Sequence, residues 1–154
     1  MSHLLTEWFG AEAVSAQATD PKIEQRIQRV LAVGPAINLE VHMQLGLRGL
    51  RHPSDWKEHR DLVFGFVYGR AQRWCEECSE PSDWGAVFLT MEVLLTLLGK
   101  SWSESEVSGA FDAYLSTSNT LFETGRMEGF QTPLEPQASG LPRVPLLKYI
   151  PAAS

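Results

Sequence analysis

The sequence lacks the motifs by which many enzyme families are recognised. It contains no glycine-rich dinucleotide fingerprint, no phosphate-binding loop, no GxSxG and no HExxH. Its longest apolar run, residues 85–99, is interrupted by Glu92 and is shorter than the roughly 20 residues of a membrane span. The N-terminal residues have no basic region followed by an apolar one, so we expect no secretory signal. These absences predict a cytosolic protein that does not engage a membrane.

Cysteine is also scarce, since the two cysteines occur only in the motif CEEC, Cys75 to Cys78. A redox CxxC normally lies at a helix N-terminus, where the helix dipole lowers the thiol pKa, whereas this motif follows an apolar helical pattern. A zinc site would need His52 or His59, but on one helix His59 and Cys75 would lie about 24 Å apart. We therefore expect no metal and no cofactor.

Helical periodicity covers most of the chain, and no segment has the sustained alternation of a strand. The predicted helices cover about 21–34, 36–51, 55–78, 83–98 and 103–129. Gly34-Pro35 should end the first helix, and Gly99 should cap the fourth. Ser103 and Glu106 have capping-box spacing at the start of the fifth helix, and STSNT at 116–120 favours a kink or break in it. We expect an all-α, single-domain bundle of about five helices, comprising an N-terminal arm at 1–19, a helical domain at 20–130 and an extended, proline-rich segment at 131–154.

The tetrapeptide PSDW occurs twice, at 53–56 and 81–84. Each copy lies between two helical patterns, where proline ends one element and Ser or Asp accepts hydrogen bonds from the first N–H groups of the next. We therefore predict that Ser54 or Asp55, and Ser82 or Asp83, cap helices. The alternative is a degenerate helical repeat with an offset of 28 residues, but the flanking core positions do not match.

The third predicted helix is apolar on several sides, which is typical of a central helix. Its glycines Gly65 and Gly69 are four residues apart and lie on one face. We interpret them as a close helix crossing, with a ligand against the bare backbone as the alternative. In the C-terminal segment, apolar residues such as Leu146 and Ile150 should either pack on the bundle or be held for a partner.

Charge is distributed unevenly along the chain. Residues 20–73 contain nine Lys and Arg against six acids, a net charge of +3, and residues 76–128 contain two against ten, a net charge of −8. This asymmetry predicts two faces of opposite potential, unless the halves pair with each other in the fold. Because the basic half is weak and the acidic half repels phosphate, nucleic-acid binding is not favoured.

The size, the acidity and the missing catalytic motifs favour a cytosolic protein-interaction module of an inhibitor, immunity or chaperone-like kind. It would engage a protein partner with a basic surface through an acidic helical face, and homo-oligomers are left open. The predicted partner-binding residues are Trp102 as aromatic anchor with Glu104, Glu106, Asp112, Glu123 and Glu128. The spacing of Glu104, Asp112 and Glu123 places them on one face if their helix is unbroken.

The alternative is a small-ligand binder or enzyme with a pocket between helices. Glu92 is the only charge in the fourth helix, and a buried carboxylate of this kind can serve as a general acid or base. Arg70 and Arg73 are its expected partners. A deep pocket lined by these three residues would favour this alternative over the interaction module.

Overall fold

Five α-helices, one of them central to the others, form the part of the chain that the structure, a computed structural model, describes: residues 21–77, 83–99 and 101–152. The α-helices are α1 (Pro21–Leu47), α2 (Arg60–Glu77), α3 (Asp83–Leu98), α4 (Glu104–Ser116) and α5 (Thr120–Gln131). Two 3₁₀ helices cover Pro53–His59 and Pro145–Lys148. These residues contain no strand, and the all-α prediction is confirmed.

Helix α2 is the centre of the bundle. It packs against α1, α3 and α5 and against the 3₁₀ helix that precedes it. Its apolar side chains are buried around the whole circumference, from Leu62 through Phe64 and Phe66 to Ala71. The prediction of a central helix from the all-round apolar pattern is therefore confirmed.

The contact between α2 and α5 is unusually close because four glycines form it. Gly65 and Gly69 on α2 face α5, and Gly125 and Gly129 on α5 face α2. A Cβ atom added to any of the four would overlap a main-chain carbonyl oxygen of the facing helix. The two backbones are therefore in direct contact, which confirms the predicted close crossing and leaves no room there for a ligand.

The two helices of this crossing run parallel. Gly65 lies against Phe122, and Gly69, one turn further along α2, lies against Arg126, one turn further along α5. At each glycine the Hα atom that replaces Cβ is directed at a carbonyl oxygen, the arrangement of weak Cα–H···O contacts between closely packed helices. Because two parallel helices cannot be joined by a short turn, α3 and α4 form the connection from the end of α2 to the start of α5.

Helix α1 corrects the predicted boundary at Gly34-Pro35. The structure has one continuous helix where two were predicted, with Pro35 inside it. Proline in a helix removes one hydrogen bond and strains the preceding residue through its Cβ, but Gly34 has no Cβ. Burial of Val30 before the proline and of Ile37 after it holds both halves of α1 against the bundle. The helix then ends at Leu47, four residues earlier than predicted.

The predicted break near 116–120 is confirmed and separates α4 from α5. Asn119 caps α5 by accepting a hydrogen bond from the Phe122 N–H at 3.0 Å. The Tyr114 and Phe122 rings stack across the break at 4.9 Å. Asp61 of α2 accepts hydrogen bonds from the Tyr114 hydroxyl and the Asn119 amide. Burial, reinforced by the bond to Asp61, raises the pKa of Tyr114 to about 12.

The first PSDW copy is structural, although its capping differs from the prediction. The segment forms the 3₁₀ helix before α2, with Trp56 buried. The N-cap position is His52, and the Asp55 carboxylate accepts the backbone N–H groups of Arg51 and His52 rather than those of α2. The second copy lies largely outside the described residues, which resume at Asp83 as the first residue of α3.

Two other predicted helix boundaries are confirmed. Ser103 and Glu106 form a reciprocal capping box at the start of α4, with the Glu106 N–H 3.1 Å from the Ser103 hydroxyl. Gly99 ends α3 with φ of +52°, in the left-handed region that favours glycine. Sequence patterns therefore locate these helix ends correctly where the relevant partner is a near neighbour in the chain.

The C-terminal segment packs on the bundle. Leu146 and Ile150 are buried, and the Leu146 N–H donates to the Gln44 side chain of α1 at 2.8 Å. Arg48 of α1 donates to the carbonyls of Ile150 at 2.8 Å and Leu147 at 3.3 Å. The sequence left two possibilities for these apolar residues, packing on the bundle or contact with a partner. Leu146 and Ile150 pack on the bundle.

Candidate functional site

The acidic residues expected to bind a partner lie on two helices rather than one. Glu104, Glu106 and Asp112 belong to α4, and Glu123 and Glu128 belong to α5. Because residues 117–119 interrupt the helix, the spacing from Asp112 to Glu123 no longer counts helical turns. The alignment of these carboxylates was predicted only for an unbroken helix, a condition that is not met, and any shared surface depends on how α4 and α5 pack.

Three of these carboxylates are exposed: Glu106, Asp112 and Glu123. Glu106 also accepts the Ser103 N–H of the capping box at 3.2 Å, and Glu123 pairs with Arg126 at 2.8 Å one turn along α5. Glu104 is only partly exposed. Exposed ion pairs of this kind contribute little to stability, so these acids remain accessible to an approaching cation.

Glu128 has a structural role instead. It accepts hydrogen bonds from the Tyr149 hydroxyl at 2.7 Å and from the Lys148 ammonium at 3.0 Å. Burial alone would raise the pKa of Glu128, but these two bonds hold the pKa below its ordinary value. The same contact raises the pKa of Lys148 and of Tyr149. Glu128 therefore ties the C-terminal segment to α5.

Trp102 lies among basic and aromatic groups, next to Ser103, whose N–H donates to the Glu106 carboxylate. The Arg60 guanidinium sits over its ring at 5.1 Å, and the Phe64 ring packs against it at 6.2 Å. The indole is half-buried. We therefore do not carry Trp102 forward as the aromatic anchor of an acidic surface.

Three exposed apolar side chains lie on the same two helices as the acids, α4 and α5. The sequence did not lead us to predict that these side chains are exposed. Leu115 is 42% exposed, Leu121 47% and Met127 50%. For Met127 the sequence contained a signal, because Gly125 and Gly129 mark the inward face of α5 and Met127 lies on the opposite side of that helix. Each of the two helices therefore carries both exposed apolar side chains and exposed carboxylates.

Arg70 and Arg73 bind the C-terminal end of α5. Buried Arg70 donates to the carbonyls of Gly129, at 3.1 Å, and Thr132. Arg73 donates to the Phe130 carbonyl at 3.1 Å. The last carbonyls of a helix have no partner within it and carry the negative end of the dipole, so two guanidinium groups are stabilising there.

Arg70 also joins α5 to α1 through an ion pair with Glu40. Its Nη2 donates to Glu40 Oε1 at 3.1 Å, and its Nε lies 3.0 Å from Oε2 without an aligned N–H. Without Glu40, the Arg70 guanidinium would be a buried charge with no carboxylate beside it, which would destabilise the fold. The arginine that the sequence marked for a ligand is used to hold three helices together.

Glu92 lines a different part of the molecule, a half-open cleft of about 560 Å³ between α1 and α3. The cleft is mainly apolar, with Leu39, Asn38 and His42 of α1 opposite Glu92, and neither arginine is part of its lining. Burial raises the pKa of Glu92 above its ordinary value. Glu92 therefore lines this cleft without the two arginines that the alternative prediction grouped with it.

Three further observations bear on the class of protein. Among residues 21–77, 83–99 and 101–152, no three His, Cys, Asp or Glu side chains come together as a metal-binding group. The segment Glu24–Leu47 of α1 is long and apolar enough to span a membrane by length and composition, a test that core helices of soluble proteins also pass. Comparison of the chain with protein-family models, with curated proteins and with solved structures finds no match.

Proposed function

We propose that the protein is a cytosolic interaction module that binds a basic, amphipathic helical segment of a partner protein on α4 and α5. The surface is formed by the residues Asp112, Leu115, Leu121, Glu123 and Met127, which we call the α4–α5 surface. The observation that carries the proposal is that its three apolar side chains, each 42–50% exposed, are accompanied by exposed carboxylates. Contiguous exposed apolar area bordered by polar groups is typical of protein–protein contact sites.

The chemistry of this surface matches one kind of occupant. Asp112 and Leu115 are three residues apart on α4, and Glu123 and Met127 are four apart on α5, so each helix presents an acid beside an apolar side chain. A helix with Lys or Arg along the edge of an apolar stripe satisfies both. The apolar contacts would supply affinity, and the carboxylates would accelerate encounter and set orientation.

The small-ligand alternative has less support. Arg70 and Arg73 hold the end of α5, and Glu92 lies in the α1–α3 cleft, whose lining includes neither arginine. The interaction proposal needs no buried catalytic group, only surface residues of the kind described. It is therefore the function that we put forward.

A display selection with helical peptides tests the proposal without a known partner. We expect the enriched peptides to carry Lys or Arg beside apolar residues at i, i+3 and i+4, and their association rate to fall about tenfold or more as salt is raised. The variant Asp112→Lys with Leu121→Ser should lose these peptides while retaining its melting temperature. Enrichment of acidic or non-amphipathic peptides would refute the proposal.

A matched control separates the α4–α5 surface from general charge effects. Glu76→Lys changes an exposed acid near the end of α2 by the same two charge units as Asp112→Lys. We expect Glu76→Lys to retain peptide binding. Equal loss in both variants would show that only the net charge matters, and it would exclude a defined surface on α4 and α5.

A further inference from the structure

A second site is formed by the residues around the first PSDW copy, which the interaction proposal does not use. A recess of about 290 Å³ opens between the 3₁₀ helix Pro53–His59, the first turn of α2 and the connection from α3 to α4. Its polar and aromatic lining consists of Ser54, Trp56, Lys57, Arg60, Ser101 and Trp102. This volume is at the lower end of the range of small-molecule sites.

The recess contains two cations that lack a carboxylate partner. Within the part of the chain that the structure describes, no acid lies within 4.0 Å of the charged groups of Lys57 or Arg60. The Arg60 Nε is buried and makes no hydrogen bond. Asp61, the next residue, directs its carboxylate to the Tyr114 hydroxyl and the Asn119 amide. The Arg60 guanidinium also interacts with the Tyr114 hydroxyl, so the recess offers one free Arg60 donor, the Nε, beside Lys57, and neither cation has a carboxylate within 4.0 Å.

The aromatic groups position this charge. The Arg60 guanidinium lies over the Trp102 ring, 5.1 Å from its centroid, and Trp56 is buried within the 3₁₀ helix. The planar fork of a guanidinium matches the oxygens of a carboxylate or a phosphate, and Lys57 adds a more mobile point charge. The Ser54 and Ser101 hydroxyls at the rim are further donors.

We propose that this recess binds a small aromatic anion, with its carboxylate or phosphate group at Arg60 and Lys57 and its ring against Trp102. The anionic group accounts for the two unpaired cations, and the aromatic ring accounts for the indole walls of a recess too large for an inorganic ion. The site lies outside the α4–α5 surface and does not depend on the interaction function.

Calorimetric titration of the full chain with phenyl phosphate, benzoate and inorganic phosphate tests the proposal. We expect saturable binding of an aromatic anion, with inorganic phosphate weaker than phenyl phosphate because it lacks the ring. The comparison of phenyl phosphate with benzoate identifies the preferred anionic group. Because Lys57 is exposed, Lys57→Gln should fold normally and should weaken binding about tenfold, the loss of one charge-assisted hydrogen bond. Arg60→Lys, which keeps the charge but loses the planar fork, should weaken binding at least as much.

Arg29→Gln is the matched control, because it removes an exposed charge on α1 outside the recess. Its affinity for phenyl phosphate should equal that of the unmodified protein. The proposal is overturned if neither aromatic anion saturates by about 10 mM, a limit corresponding to a binding free energy weaker than that of millimolar ligands. Equal weakening in Arg29→Gln and Lys57→Gln, or equal affinity for inorganic phosphate and phenyl phosphate, would also overturn it.

Discussion

Substitution of Gly65 by alanine tests the most distinctive contact of the fold. At Gly65 the added Cβ would overlap the Phe122 carbonyl oxygen and lie 2.8 Å from its carbonyl carbon. Ordinary van der Waals contact for a Cβ begins at about 3.4 Å. Both sides of the contact are backbone, so no side chain can rotate to make room. The added methyl group must therefore separate α2 from α5 or distort one of them.

The magnitude follows from how much of the core this separation disturbs. Relief of the contact with the carbonyl carbon alone requires about 0.6 Å, and a gap of that size already forfeits about a quarter of the dispersion energy of each affected contact. Phe66 and Phe122, both buried, lie next to the crossing on the two helices. Overpacking of well-packed cores costs about 1–3 kcal/mol and sometimes more, so we expect Gly65→Ala to cost about 3 kcal/mol.

Urea unfolding followed by circular dichroism measures this change, with Gly109→Ala as the control. Gly109 is an exposed glycine of α4, and a Cβ there would meet no atom within 4 Å. Alanine should therefore stabilise α4 by about 0.5–1 kcal/mol, since it is the better helix former. If Gly65→Ala unfolds within about 0.5 kcal/mol of the unmodified protein, the proposed backbone contact is refuted.

The double substitution at the crossing gives a second, independent result. Once Gly65→Ala has moved the helices apart, Gly129→Ala should cost less than it does alone, because the same separation relieves both clashes. Substitutions that share one structural response are non-additive by about 0.5–3 kcal/mol. Full additivity would indicate that each alanine is accommodated locally, which contradicts a shared rigid contact.

Three further predictions concern a helix cap, the C-terminal segment and a buried acid. Ser103→Ala should destabilise the protein by about 1 kcal/mol in urea unfolding, and no change would mean that the capping box is energetically silent. Leu146→Ala should cost about 2–5 kcal/mol, since it leaves a cavity under the C-terminal 3₁₀ helix; an unaltered transition midpoint would show that this segment does not pack in solution. Because burial raises the pKa of Glu92 in the fold, its ionisation opposes folding above its ordinary pKa of about 4.3. Glu92→Gln should therefore raise the melting temperature near neutral pH, and the gain should disappear in acid; a lower melting temperature at neutral pH would contradict this sign.

Sequence patterns predicted some residues of the candidate site and missed others. The acids on α4 and α5 were identified as a surface group, but the exposed Leu115, Leu121 and Met127 were not, because exposure of an apolar residue depends on which face a neighbouring helix covers. Arg70 was identified as a special residue for the wrong reason. It was expected to pair with Glu92 in a ligand pocket, whereas its partners are Glu40 of α1 and carbonyls at the end of α5, about 60 residues further along the chain. A local sequence pattern does not predict a contact between residues so far apart in the chain.

The sequence by itself determined the features that arise between near neighbours. The helical class, the capping box at Ser103, the end of α3 at Gly99 and the break at residues 116–120 all follow from interactions within a few residues. The close helix crossing at Gly65 was also predicted from the sequence, because Gly65 and Gly69 are four residues apart and leave one helix face without side chains.

Only the tertiary structure decided which local preferences would be overruled and which faces would meet. Pro35 should end a helix, yet burial of Ile37 and Val41 against the bundle carries α1 through it. The pairing of Gly65 with α5 in a parallel crossing, and the meeting of Lys57, Arg60 and Trp102 at one recess, join segments that lie tens of residues apart. Burial of apolar side chains in such long-range contacts stabilises the fold by more than the helix propensity of any single residue. The packing of the whole bundle therefore decides these features.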